Sequence, residues 1–170
     1  MPPPRFCLDT GPLLDYLVLW HYAQPQRVSV EQVAVPPEVL ARVLYLKGRD
    51  VRRAFAKMVA SEYPLATTAG VTVEVARHVR DDLPKLNTPD FWRSAQAVYR
   101  QMGMQEELVR LLDGGVKRIP NVGIVDDSLI VVCCRLGLQL VTGDRRGLVE
   151  RAQHAGVKVL HVTELVALYA

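Results

Sequence analysis

Five carboxylates stand where an α/β chain does its chemistry. Asp9 closes the apolar stretch "RFCLD", Asp144 follows "LQLVTG", Asp126 and Asp127 precede the apolar run "SLIVVCC", and Glu74 lies shortly after "PLATT". In open α/β sheets, ligands collect in the crevice beyond the carboxyl ends of the strands, so acids at those ends are the first functional candidates. Brought together they repel, each raising the pKa of the others, unless a positive charge holds them ionised. Oxygen ligands without a histidine or thiolate cage favour a hard cation, Mg²⁺ or Mn²⁺ rather than zinc. A cation held this way activates water and clamps the oxygens of a phosphodiester, which is the chemistry of metal-dependent nucleases. Arg145 and Arg146, directly behind Asp144, then stand ready to meet a phosphate backbone.

Each acid also has an ordinary reading. One of Asp126 and Asp127 suits the N-cap of a helix, worth about 1 kcal/mol. Asp9 before "TGP" suits a turn, and Glu74 suits a solvated helix face. The joint pattern carries the weight. His78 falls four residues after Glu74 on the same helical face, but no second histidine stands at ligand spacing, so it reads as a surface residue. The aromatic clusters "WHY" at 20–22 and "FW" at 91–92 read as core or dimer anchors before they read as base-stacking platforms.

The elements that must position these residues follow from periodicity. Strand-like segments "RFCLD", "PLATT", "LQLVTGD" and "VKVLHV" alternate with helix-like ones, which predicts α/β architecture around a parallel sheet. Residues 37–60 read as a helical pair broken at Gly48, with Val39, Leu40, Val43, Leu44 and Leu46 on one side. In "TVEVARHVRDDL", Val71, Val73, Ala76 and Val79 fall near one face of another helix. A further helix is expected from Thr88 to Leu112, with Pro89 at its first position and "DGG" at 113–115 as its stop. Beyond residue 120 a loop feeds a buried helix that Gly137 ends, then a strand, the helix "RGLVERAQHAG", a last strand and the short helix "TELVALY".

The chain has 170 residues, the size of one domain, expected over 1–170 with a short proline-rich tail at 1–4. Hydrophobic residues at 49% and charged residues at 23% describe a globular core and exclude disordered and fibrous classes. No apolar run approaches the roughly 18 to 20 residues that span a bilayer, and the N-terminus lacks a secretory apolar stretch, so no membrane and a cytoplasmic setting are expected. Cys7, Cys133 and Cys134 lie in apolar segments without paired CxxC spacing and read as buried reduced thiols. A net charge of +3 permits a polyanionic partner without demanding one.

The pieces "FCLDTGPLLDYL", "AGVTVEVARHV" and "VDDSLIVVCCRLGLQLVTGD" resemble the PIN domain family of metal-dependent ribonucleases. There an aspartate followed by Thr or Ser ends the first strand, a glutamate sits early on a helix, and two aspartates flank a later helix–strand unit. Transferred here, those acids are Asp9, Glu74, Asp126 or Asp127, and Asp144. Asp126 gives the better spacing to Asp144, and Asp127 better matches an aspartate followed by a small residue. The resemblance covers most of residues 5–170, although 20–65 carry no alignable motif and Gly143 stands where the family often has asparagine or arginine. It implies a three-layer α/β/α sandwich with a central parallel sheet and an acidic pocket at its carboxyl edge. Its catalytic set would be Asp9, Glu74, Asp144 and one of Asp126 and Asp127, both of which stay candidates, with all but Glu74 as its metal ligands. Thr10 and Thr142 would orient the carboxylates, Mg²⁺ or Mn²⁺ would activate water, and single-stranded RNA would be the substrate. An antitoxin protein partner and a homodimer are further expectations, the chain being a processing enzyme or the toxin half of a toxin–antitoxin pair. The alternative is a non-catalytic RNA-binding or protein-interaction domain whose acids are structural. A phosphotransferase of the haloacid dehalogenase type wants a second aspartate two residues after the first, where Gly11 stands.

Overall fold

The structure, a computed structural model, describes residues 6–26, 32–60, 65–101, 105–107 and 123–169. The apolar run at the start forms strand β1 (Phe6–Leu8), buried at every residue. Helix α1 (Thr10–Gln26) follows at once. Four more strands complete the sheet: β2 (Leu65–Thr68), β3 (Gln105–Glu107), β4 (Gln139–Thr142) and β5 (Val159–His161). Their order is β3-β2-β1-β4-β5 and every neighbouring pair is parallel. Strands covered on both faces need continuous apolar runs instead of alternation, which is what "FCL" and "LV" provide. After β1 the chain pairs outward on one side as β2 and β3, then returns to the other side of β1 as β4. The carboxyl ends of β1 and β4 therefore form the point where strand order reverses, with Leu8 paired to Val141 and the Asp9 N–H donating to the Val141 carbonyl at 3.0 Å.

The helices complete a three-layer α/β/α sandwich. They are α2 (Pro37–Leu40), α3 (Arg49–Ala60), α4 (Ala69–Asp82), α5 (Pro89–Gln101), α6 (Ile124–Leu136), α7 (Gly147–His154) and α8 (Leu165–Tyr169). α1 packs against α4 and α5, α6 lies over β1, β2 and β4, and α3 packs against α8. Gly137 ends α6 in the left-handed conformation at φ 63°, the stop expected of it. Among the described residues, no helix is long and apolar enough to cross a membrane.

Four expectations are corrected. The helix expected from Thr88 to Leu112 ends at Gln101, and Gln105–Glu107 instead pairs with β2, because an open sheet edge offers backbone partners that local helical propensity does not outweigh. Its "DGG" stop lies outside the described residues. The first helix of the 37–60 pair is a single turn, α2, followed by turns as far as Gly48. There the Asp15 carboxylate takes the N–H groups of Tyr45 and Leu46, which a continuing helix would have given to its own carbonyls, and Leu44 swings out while Val39, Val43 and Leu46 stay buried. On α4 the buried stripe is Val71, Val75 and Val79, at strict four-residue spacing, and Val73 faces outward. Cys7 and Cys133 are buried, but Cys134 is exposed.

Candidate functional site

Asp9 is the first residue past β1, and the hydrogen bonds around it tie three elements together. Its Oδ1 accepts the Thr10 N–H at 2.7 Å, and its Oδ2 accepts the Thr142 hydroxyl at 2.7 Å from the end of β4. The Thr10 hydroxyl, at the start of α1, donates to Glu74 Oε2 on α4 at 2.6 Å. Thr142 Oγ1 also accepts the Asp144 N–H at 3.0 Å. Thr10, opening α1, and Thr142, ending β4, thus link Asp9, Glu74 and the Asp144 loop. Burial pushes the Asp9 carboxyl above its ordinary range; Thr142 and the Thr10 N–H pull it down, and the charges of Asp126 and Glu74 push it further up.

Helix α6 brings its two acids to the same edge because it approaches α4 closely. A Cβ at Gly70 would stand 2.9 Å from Val125 Cγ2, so glycine is what lets the start of α6 lie against the start of α4. The buried Ser128 locks that approach, donating to Val125 O and lying within 3.0 Å of the Thr68 hydroxyl. Neither aspartate caps α6, whose N-cap is Gly123 without a side-chain bond. Both are instead gripped by Arg151 of α7: Nη2 donates to Asp126 Oδ2 and Nη1 to Asp127 Oδ1, each at 2.9 Å. Burial raises the Asp126 carboxyl, Arg151 lowers it, and Glu74 and Asp144 raise it, leaving it above the usual range. Of the pair, Asp126 has the more exposed side chain, 38% against 15% for Asp127.

Asp144 serves its own loop. Its Oδ2 accepts the Leu148 N–H at 2.9 Å, and its Oδ1 accepts those of Arg145 and Arg146 at 2.7 and 3.2 Å. These bonds, led by Leu148, hold its carboxyl below the usual range despite some desolvation. Arg145 and Arg146 are exposed.

Three of the five acids line one or the other of two hollows, and Asp126 and Asp127 line neither. Asp9, Thr10 and Glu74 line one of about 360 Å³, together with Asp15, Arg42, Leu44, His78 and Asp82. Asp144 and Arg145 line another of about 310 Å³, with His161 and Glu164. Sequence reasoning missed Arg151, Ser128, Asp15 and Tyr45. None stands at a strand end, and although Asp15 and Ser128 fall within the quoted pieces, nothing in their local spacing marks them as partners of the site; the four-residue step from Glu74 to His78 was the one hint of a neighbour in the first hollow. His78 lines that hollow with its Nδ1 2.7 Å from Asp82 Oδ2.

The donor chemistry fits a hard divalent cation: Asp9, Glu74, Asp126 and Asp144 offer oxygen alone, and burial plus mutual repulsion raise two of the four. Among the described residues, no three such side chains already stand as a cage, and Arg151 supplies the positive charge at Asp126 and Asp127. A cation would have to draw Asp126 off that guanidinium.

No family profile matches the sequence, and no curated protein matches it. Among solved structures the chain is similar to a PilT N-terminus domain protein from the hyperthermophilic archaeon Sulfolobus solfataricus P2. The likeness has a TM-score of 0.50 at 13% sequence identity, over 96% of this chain and 92% of that one. At that identity it speaks for the fold, an α/β sandwich on a parallel sheet.

Proposed function

We propose that this chain, with its PIN-like fold, is a metal-dependent endoribonuclease that hydrolyses phosphodiester bonds of single-stranded RNA at the acidic edge of β1 and β4. The observation that carries this is the pair of threonine links, Thr10 to Glu74 and Thr142 to Asp9, which gather the two carboxylates at the strand-reversal point. Among the described residues neither Asp9 nor Glu74 forms an ion pair, and structural duties alone do not call for two such carboxylates at one strand edge. The structural likeness to a PilT N-terminus domain adds the fold in which such an edge is expected.

Asp9, Asp126 and Asp144 would hold Mg²⁺ or Mn²⁺, with Asp126 preferred over Asp127 because its side chain is the more exposed of the two. Such a cation supplies an acidified water and neutralises charge on the scissile phosphate. Thr142 keeps Asp9 turned toward the crevice, and the Thr10 N–H fixes its second oxygen. Glu74, with Oε2 on the Thr10 hydroxyl, uses its other oxygen to take the proton of the attacking water. Arg145 and Arg146, exposed behind Asp144, hold flanking phosphates.

A second reading, a non-catalytic RNA-binding or protein-interaction domain, is favoured by the grip of Arg151 on both α6 acids and by the three N–H groups that already occupy Asp144. Incubation of purified protein with end-labelled single-stranded RNA, and with matching DNA, in Mn²⁺, Mg²⁺ or EDTA separates the two. Metal-dependent RNA cleavage is expected, lost in an Asp9→Asn, Asp144→Asn double variant. Equal behaviour of parent and variant under every condition would overturn the nuclease and leave the binding domain.

A further inference from the structure

The turn between α2 and α3 carries side chains that the acidic edge does not need for its own construction. Val43 and Leu46 are buried and pin it, while Leu44 between them is 65% exposed. Asp15 of α1, only 1% exposed, clamps the turn: its Oδ2 accepts the N–H groups of Tyr45 at 2.7 Å and Leu46 at 3.1 Å, and its Oδ1 has no hydrogen-bond partner. Tyr45 is thereby set between the first turn of α1 and the loop after β4. A Cβ on Gly11 would stand 3.1 Å from Tyr45 Cε2, and one on Gly143 would stand 1.4 Å from the Tyr45 hydroxyl. Glycine at 143, the departure from the family pattern, is what admits this ring beside Asp9 and Asp144.

Arg42, Leu44 and Asp15 line the same hollow as Asp9 and Glu74, with Leu14 and Leu83 contributing further apolar wall. Among the described residues, Arg42 has no ion-pair partner. An exposed leucine and an unpaired guanidinium lining that acidic hollow, with the half-buried Tyr45 ring beside them on the same clamped turn, match a ligand with a flat apolar face joined to an anion. We propose that Arg42, Leu44 and Tyr45 form the wall that receives the nucleotide beside the scissile phosphate. Its base lies against Leu44 and the Tyr45 ring, and its phosphate pairs with Arg42. This rests on the nuclease reading of the acidic edge and deepens it by naming the side chains that would receive an unstacked base, which a duplex does not present.

Binding and cleavage are measured separately on the full chain. Fluorescence anisotropy of a fluorescein-labelled single-stranded RNA in EDTA reads binding, and initial rates with Mn²⁺ read KM and kcat. Leu44→Ala and Arg42→Gln remove exposed groups and leave the core intact, as a thermal melt will verify. Each is expected to raise Kd and KM about tenfold while kcat falls less than twofold. Tyr45→Ser should weaken binding similarly, with Tyr45→Phe restoring most of it. If Leu44→Ala and Arg42→Gln bind and cut like the parent, the wall is refuted while the nuclease stands. If Tyr45→Ser tightens binding and speeds cleavage, Tyr45 is a plug over the crevice and the proposal fails in the opposite sense. If the parent neither binds nor cuts RNA, the nuclease reading falls and takes the wall with it.

Discussion

Asp15 shows what a single buried side chain imposes. Burial pushes its carboxyl up to about 7, although the N–H groups of Tyr45, Leu44 and Leu46 work against the shift. The folded chain therefore holds this proton more tightly than the unfolded one does. The stabilisation linked to it is fully present below about pH 4, falls as pH rises toward 7, and is gone above that. Asp15→Asn keeps a carbonyl for the turn's N–H groups and carries no charge, so it should flatten this dependence. Above pH 7 its stability is expected to exceed the parent's by about 1–4 kcal/mol, measured by urea unfolding at pH 5, 6, 7 and 8. Equal pH profiles for parent and variant would show that Asp15 is ionised throughout.

At the scale of elements, the decisive contact is α7 on α6. Arg151, with a side chain 14% exposed, bridges Asp126 and Asp127 and so fixes where α7 lies. Its removal leaves two partly buried carboxylates unpaired, a loss of about 1–3 kcal/mol once the greater exposure of Asp126 is discounted. The same removal should free Asp126 for a cation. Arg151→Ala is thus expected to melt lower than the parent in EDTA and to recover more of its melting temperature on addition of Mn²⁺. A variant that gains no more from Mn²⁺ than the parent does would mean that the α6 acids are structural partners of α7 alone. Elements also explain the tolerance of the site for a short α2: once Asp15 captures the backbone of residues 45 and 46, the turn is held without helical hydrogen bonds.

For the molecule as a whole, charge is nearly balanced at +3, so nucleic-acid affinity must come from local arginines and not from a general field. RNA binding should weaken with salt, with a log–log slope near −0.7 per phosphate contact, and the double variant Arg145→Gln, Arg146→Gln should reduce that slope by about 1 to 2. Anisotropy titrations from 50 to 300 mM KCl test this, and an unchanged slope would move the phosphate path away from the β4 edge. The same scale separates what the chain's order of residues determined from what folding decided. Continuous apolar runs ending in Asp9 and Thr142, the glycine stop at 137 and the acid pair opening α6 were legible, because strand, helix and cap preferences act between residues a few positions apart. The family resemblance names Thr10 and Thr142 as orienting residues, but their hydroxyls reach acids 64 and 133 positions away, a choice of partner that no local spacing encodes. The grip of Arg151 on residues 24 and 25 positions away, the Asp15 clamp across 30, the Gly70 approach to Val125 and the insertion of Tyr45 between Gly11 and Gly143 were not legible either. Those contacts exist only once the order β3-β2-β1-β4-β5 brings distant segments to one edge, and no local preference encodes which side chains will meet there.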